Sequence, residues 1–314
     1  MRSGSYALSL LAIPLNATIL EQLFDGPMRL ADLRRDSDSA PQSTVRAHLR
    51  RLEGGLLMVK REHERSAGVI DFELTVAGSD LLVVMAALER WLLLSPGGPV
   101  AFRSVTGNSA IKALEGGWSS AMLGTLASGS QSLSQLGRGI TEVSYPSLDR
   151  RLTAMRRAGQ VRACPSDGQS TPYEVTGWLQ QGVAALAAAV RWERTHFADE
   201  TAAMTRFDTE ASFLLTLPLL QMSLALSGSC RMEVEVNDEE GPLCGAVAHV
   251  KRGRVVSASG GAQGPADSWA SGATPAWARA LVGDGTDLLA LGGDKLLAGG
   301  LLEGLSETLF GAEA

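Results

Sequence analysis

Apolar residues recur at helical spacing through the first third of the chain. Ala7–Ile13 reads as a helix, and Ile19, Leu20, Leu23 and Phe24 share one face of a second, Asn16–Phe24. Asp25-Gly26-Pro27 stops it. Leu30 and Leu33 predict a short helix, Leu30–Arg35, and a polar loop, Asp36–Ala40, follows. In Pro41–Leu57 the apolar Val45, Leu49 and Leu52 recur at i, i+4, i+7, with Arg46, Arg50 and Arg51 on other faces. Ser39 or Ser43 is expected to cap its start, and Gly54-Gly55 to end it. Leu57–Glu62 and Val69–Leu74 are strand-like around a polar tip, His63–Gly68. Thr75-Val76-Ala77-Gly78 then opens a long apolar helix running to Leu94.

Taken alone, Pro41–Leu57 suits an ordinary amphipathic surface helix as well as one laid in a DNA groove. The neighbours favour the groove. Helix, helix, short helix, helix, hairpin, helix is the order of a winged helix-turn-helix, with the hairpin as the wing.

The pattern then returns. Ser95-Pro96-Gly97-Gly98-Pro99 is a linker. Gly129–Leu136 matches Gly26–Leu33 at a shift of 103, and at that shift Val45, Leu49 and Leu52 become Leu148, Leu152 and Met155. Arg150, Arg151, Arg156 and Arg157 decorate this second helix. Val161–Cys164 and Pro172–Val175 predict a second wing, and Thr176-Gly177 opens another long helix, Trp178–His196. A repeat of about 100 residues is a duplicated structural unit.

Residues 205–311 differ. Phe213–Leu220 reads as a Leu-rich helix broken at Pro218. Ser229–Val236 alternates, so it is a half-buried strand, and an acidic turn, Asn237–Gly241, follows. Leu243–Val250 and Arg254–Ser259 continue as strands, with Ala266–Ala270 as a further edge strand. Thr274–Val282 and Asp294–Phe310 read as helices. Strands followed by helices indicate an α+β layer.

The totals sharpen this picture at two points. Net charge is −6, not that of a typical nucleic-acid binder, but residues 1–95 hold 11 Lys+Arg against 12 Asp+Glu, 96–200 hold 10 against 8, and 201–314 hold 7 against 14. The acid excess therefore lies in the last third, and the arginine clusters of the first two thirds suffice for phosphate contacts. Cys164, Cys230 and Cys244 show no zinc spacing, and their odd number argues against a secreted disulfide scaffold, so a cytoplasmic setting is expected. Met1-Arg2 followed by Tyr6–Ile13 faintly resembles a signal peptide but passes directly into the helical pattern, and is read as the first helix. No apolar run reaches about 18 residues, so no membrane span is expected.

Leu23–Arg35, Leu49-Arg50-Arg51-Leu52-Glu53 and Leu74-Thr75-Val76-Ala77-Gly78 together resemble the HxlR-type winged-helix transcription regulators. A second, weaker set is Leu133-Ser134-Gln135-Leu136, Leu152-Thr153-Ala154-Met155 and Val175-Thr176-Gly177. The resemblance covers about residues 5–95 and 110–197. It implies DNA binding, and two copies in one chain imply an intramolecular pseudo-dimer, or else a homodimer through terminal helices. Many members carry a cysteine near the N-terminus. Here Gly4-Ser5-Tyr6 stands instead, so a cysteine switch is unsupported. Gly228–Val234, Asp267–Ala270, Pro275–Leu281 and Leu291–Asp294 resemble the sterol-carrier-protein-like domain, which holds an apolar molecule between sheet and helices. The expected fold is thus α+β: winged helix-turn-helix domains at 1–95 and 96–200, and a sterol-carrier-protein-like domain at 201–314.

Candidate chemistry follows from these placements. Ser43, Thr44, Arg46, His48 and Arg50 on the first reading helix, and Ser144, Tyr145, Ser147, Arg150 and Arg151 on the second, are candidates for base and phosphate contacts. Arg34, Arg35, Lys60, Arg61 and Arg65 suit phosphate and wing contacts. Phe213, Leu217, Met222, Met232, Trp269, Trp277, Leu297 and Leu301 are candidates to line an apolar pocket, or simply form a core. No phosphate loop, nucleophile elbow, HExxH or complete GxGxxG is present, and His48, His63, His196 and His249 are scattered, so no catalytic residue, metal or cofactor is expected. The expectation is a regulator that binds a double-stranded operator and senses an apolar small molecule. The alternatives are a small-molecule sequestering protein that has lost DNA binding, and an enzyme with no visible site.

Overall fold

The computed structural model describes residues 5–35, 40–62, 70–117, 120–140, 143–166, 170–197, 206–235, 244–281 and 286–311. The chain packs as two units, one of residues 4–115 with 188–201 and the other of 116–187 with 202–314.

In the first unit Ser5 caps α1 (Tyr6–Leu11), its Oγ accepting from Leu8 N at 3.3 Å. Pro14 starts α2 (Pro14–Phe24), where its missing N–H costs nothing. A two-residue strand, β1 (Met28–Arg29), leads into α3 (Leu30–Arg35), α4 (Gln42–Gly54), β2 (Met58–Glu62), β3 (Ile70–Leu74) and α5 (Val76–Leu93). The strands form one antiparallel sheet in the order β1-β3-β2. Leu8, Leu11, Ile19, Leu20, Leu33, Val45, Leu49, Leu52, Leu57, Leu81 and Leu88 are buried and form its core. A further helix, α6 (Val105–Gly117), was not expected, because Gly107, Asn108, Gly116 and Gly117 dilute its apolar pattern with weak helix formers. Arg103, just before it, reaches Glu21 at 2.9 Å.

Residues 188–197 complete this unit. The Glu193 side chain is buried, and its Oε1 accepts from Ser5 Oγ at 2.5 Å and Ala7 N at 3.1 Å. Trp192 Nε1 donates to Ala77 O at 2.8 Å, and His196 Nε2 lies 2.9 Å from Asp80 Oδ2. The rings of Trp192 and Phe197 pack on Tyr6.

The second unit opens with the same order of elements: α7 (Ser120–Ala127), β4 (Gln131–Ser132), α8 (Leu133–Gly139), α9 (Tyr145–Arg157), β5 (Val161–Ala163), β6 (Pro172–Val175) and α10 (Gly177–Gln181). Its small sheet runs β4-β6-β5, the order of the first. The expected single helix over Trp178–His196 is instead two, because Gly182 caps α10 before α11 (Val183–His196) begins.

The repeat is kept down to individual hydrogen bonds. Both α4 and α9 are 13 residues long, and α9 buries Leu148, Leu152 and Met155 where α4 buries Val45, Leu49 and Leu52. Both end in a Schellman motif. Leu57 N bonds Leu52 O at 3.0 Å and Leu56 N bonds Glu53 O at 3.0 Å, while Gln160 N bonds Met155 O at 2.9 Å and Gly159 N bonds Arg156 O at 3.1 Å. Thr75 caps α5 and donates its hydroxyl to Leu56 O at 2.7 Å; Thr176 caps α10 and donates to Gly159 O at 2.9 Å. The start of α4 departs from expectation. Its cap residue is Pro41, which offers no side-chain hydrogen bond; Ser43 is already helical, and Ser39 lies outside the described residues.

The rest of the second unit is α12 (Arg206–Thr216), a 3-10 turn (Leu217–Leu219), β7 (Gly228–Glu235), β8 (Cys244–Lys251), β9 (Arg254–Gly260), β10 (Ser268–Ala273), α13 (Thr274–Leu281), a second 3-10 turn (Thr286–Leu288), β11 (Ala290–Gly293) and α14 (Lys295–Phe310). Its helix before Pro218 thus begins earlier than the Leu-rich stretch. The sheet order is β11-β10-β7-β8-β9, with β7 and β10 parallel and the other pairs antiparallel. The expected edge strand at Ala266–Ala270 is therefore interior, and β11, hidden in a glycine-rich run, is the edge beside it, with β9 at the opposite edge. Cys230, Met232 and Val234 alternate inward on β7, and their register partners Ala246, Ala248, Ala270 and Ser268 are also buried. The acidic turn Asn237–Gly241 lies outside the described residues.

Candidate nucleic-acid interface

The open face of α4 follows from its packed one. With Val45, Leu49 and Leu52 buried, Ser43, Arg46 and Arg50 fall at i, i+3, i+7 on the outer side, all exposed. Gln42, one turn before Arg46, joins them. The sequence reading missed Gln42, although the same i, i+4 spacing from Arg46 identifies it. Thr44 is half-buried. Arg46 and Arg50 have no carboxylate partner among the described residues.

The structure redirects His48. Expected at the DNA face, it is half-buried and turned to α2, with its Nδ1 2.7 Å from Asn16 Oδ1. Asn16 is fully buried and donates from Nδ2 to Leu10 O at 3.0 Å. That amide orientation makes Oδ1 the acceptor and His48 Nδ1–H the donor. Burial lowers the His48 pKa from 6.5, and the nearby Arg51 charge lowers it further. This imidazole braces α4 against α2.

Around α4, Arg34 is exposed without an ion pair among the described residues, whereas Arg35 meets Asp32 at 3.5 Å. On the wing, Lys60 is held by Glu53 at 2.6 Å, so its charge is largely compensated. Arg29, unread in the sequence because a two-residue strand carries no period, meets Asp71 at 3.5 Å. Arg65 and the side chain of Arg61 lie outside the described residues.

In the second unit α9 exposes Ser144, Tyr145, Asp149 and Arg150, with Ser147 and Arg151 half-buried. Arg156 and Arg157 are exposed at its end. Arg162 on β5 is compensated by Glu174 at 2.6 Å, as Lys60 is on the first wing.

The expected pocket residues are packed as core. Phe213, Leu217, Met232, Trp277, Leu297 and Leu301 are at most 1% exposed. The Phe213 and Trp277 rings meet edge to face at 4.7 Å, and Trp277 Nε1 donates to Glu233 O at 2.8 Å. Met222 and Trp269 are half-buried. Among the described residues no group of three or more His, Cys, Asp or Glu is placed to hold a metal ion, and no helix is long and apolar enough to cross a membrane.

The HxlR-like helix-turn-helix family model matches residues 15–94. This is the stretch from α2 to the end of α5, so that part of the chain is similar to an HxlR-like helix-turn-helix domain. Among curated proteins none matches the chain.

Proposed function

We propose that this chain is a cytoplasmic transcription regulator in which α4 lies in the major groove of an operator. The exposed Gln42, Ser43, Arg46 and Arg50 stripe, opposite a fully buried apolar row, carries the reading. Arg34 and Arg51 would take phosphates, and the match over residues 15–94 supports the same assignment. In this reading residues 96–200 carry a second winged helix in α7 to α10, supported by the shared strand order, caps and Schellman motifs, and the operator has two unlike halves. Residues 201–314 are read as a sterol-carrier-protein-like module, in which an apolar effector would have to part the packed residues around Phe213 and Trp277. The partners are double-stranded DNA and an apolar small molecule, and each chain supplies both readers. The test is a mobility shift with the DNA upstream of its own coding region across a salt series. Binding is expected to fall steeply with salt, and Arg46→Ala to weaken it by roughly 5- to 150-fold, the equivalent of about 1–3 kcal/mol. Salt-insensitive binding, or none, would sink the proposal.

A further inference from the structure

We infer that α9 reads bases of a different kind from α4, using the Tyr145 ring for a thymine methyl group and the Asp149 carboxylate for a cytosine 4-amino group. The inference rests on the DNA-binding reading above. Position by position the two helices correspond, because cap residue, buried trio and Schellman turn all coincide at one shift. At that shift Gln42, Ser43, Arg46 and Arg50 become Tyr145, Pro146, Asp149 and Thr153. The amide and guanidinium groups of α4 suit adenine and guanine edges, since both present acceptors in the major groove. The α9 stripe has lost every such donor except hydroxyls.

The packing around Tyr145 fits this exchange. Gly137 on α8 stands where Arg34 stands on α3. A Cβ there would lie 3.1 Å from Tyr145 Cδ2 and 3.5 Å from Cε2, so the ring lies against the α8 backbone. It remains 52% exposed, a seated aromatic with an open face. Pro146, exposed beside it, fixes the first turn. One turn on, Asp149 is exposed and has no cationic partner among the described residues. A bare carboxylate facing DNA is repelled by phosphate unless a donor meets it, and cytosine N4 is the base-edge donor that carboxylates take. Arg150 and Arg151 flank it for backbone contacts.

Selection by the full chain from a randomised double-stranded DNA library tests this. Wild type is expected to enrich a site with one purine-reading half and one half containing thymine and cytosine. Tyr145→Ala should erase the thymine preference in that half alone, and Tyr145→Phe should keep it. Asp149→Asn should erase the cytosine preference. Deoxyuridine in place of the selected thymine removes only the methyl group; it should weaken wild type about fourfold, as expected for one methyl contact, and leave Tyr145→Ala unchanged. An unchanged selected sequence in Tyr145→Ala and Asp149→Asn overturns the inference alone, as does enrichment of a single half-site. No enrichment of any DNA by wild type overturns the DNA-binding reading, and this inference with it.

Discussion

The His48 imidazole sits between Asn16 and Arg51, and its environment favours the neutral ring. Its pKa in the folded chain lies below 6.5, the value it regains on unfolding. As pH falls below about 6.5 the unfolded chain therefore takes up the proton first, and stability is lost until the folded pKa is passed. Urea midpoints measured from pH 7 to pH 5 should fall more steeply for wild type than for His48→Gln, whose amide still donates to Asn16. Parallel curves would remove His48 from the account. Glu193 is the second residue whose role is set by distant partners. Glu193→Ala leaves Ser5 Oγ and Ala7 N without their acceptor and should cost about 1–3 kcal/mol, read from the urea midpoint, whereas Glu193→Gln keeps an acceptor and costs less. Neither role was legible in the sequence. Asn16 and His48 are 32 residues apart and Ser5 and Glu193 are 188 apart, so no local period joins them.

The turns after α4 and α9 carry an element-scale contrast. Gly159 ends α9 at φ 77°, and Leu56 ends α4 at φ 57°, in the left-handed region that leucine enters at a cost. Leu56 is 66% exposed, so little burial offsets that cost. Leu56→Gly should raise stability by about 0.5–1 kcal/mol, and Gly159→Ala should lower it by about 1 kcal/mol. Thermal melts of the two variants, one moving up and the other down, are the check. The sequence pointed to Gly54-Gly55 as the end of α4, yet these precede the left-handed position instead of filling it. Long periodic helices and their shift of 103 were legible because buried faces impose a period. Of the elements that were not, β1, β4 and β11 are two to four residues long, too short for any period to appear, and α6 has its period diluted by glycine and asparagine. Likewise the buried Phe213 and Trp277 share apolarity with pocket liners, and sequence does not separate a core from a cavity wall.

At the scale of the molecule, residues 188–201 pack with 4–115 although a second set of elements lies between them. Read in order, the chain suggests boundaries near 95 and 200, because periodicity reports neighbours along the chain and not partners across it. A chain carrying Trp192→Ala, Glu193→Ala and His196→Ala together keeps α4 whole but loses the contacts of all three side chains. Its first unit should unfold at lower urea than Glu193→Ala does, with faster amide exchange in α1; unchanged exchange would show that these contacts add nothing. The same return sets a schedule for synthesis. Ser5 leaves the ribosome 188 residues before Glu193. At the usual pace of translation that interval is roughly 10–40 s. For all of it, α1 and the start of α5 wait with their closing surface still unmade. Helix α4 is thus among the first parts translated, yet its unit closes only when residues 188–197 arrive, which exposes the nascent chain to holding chaperones in the interval.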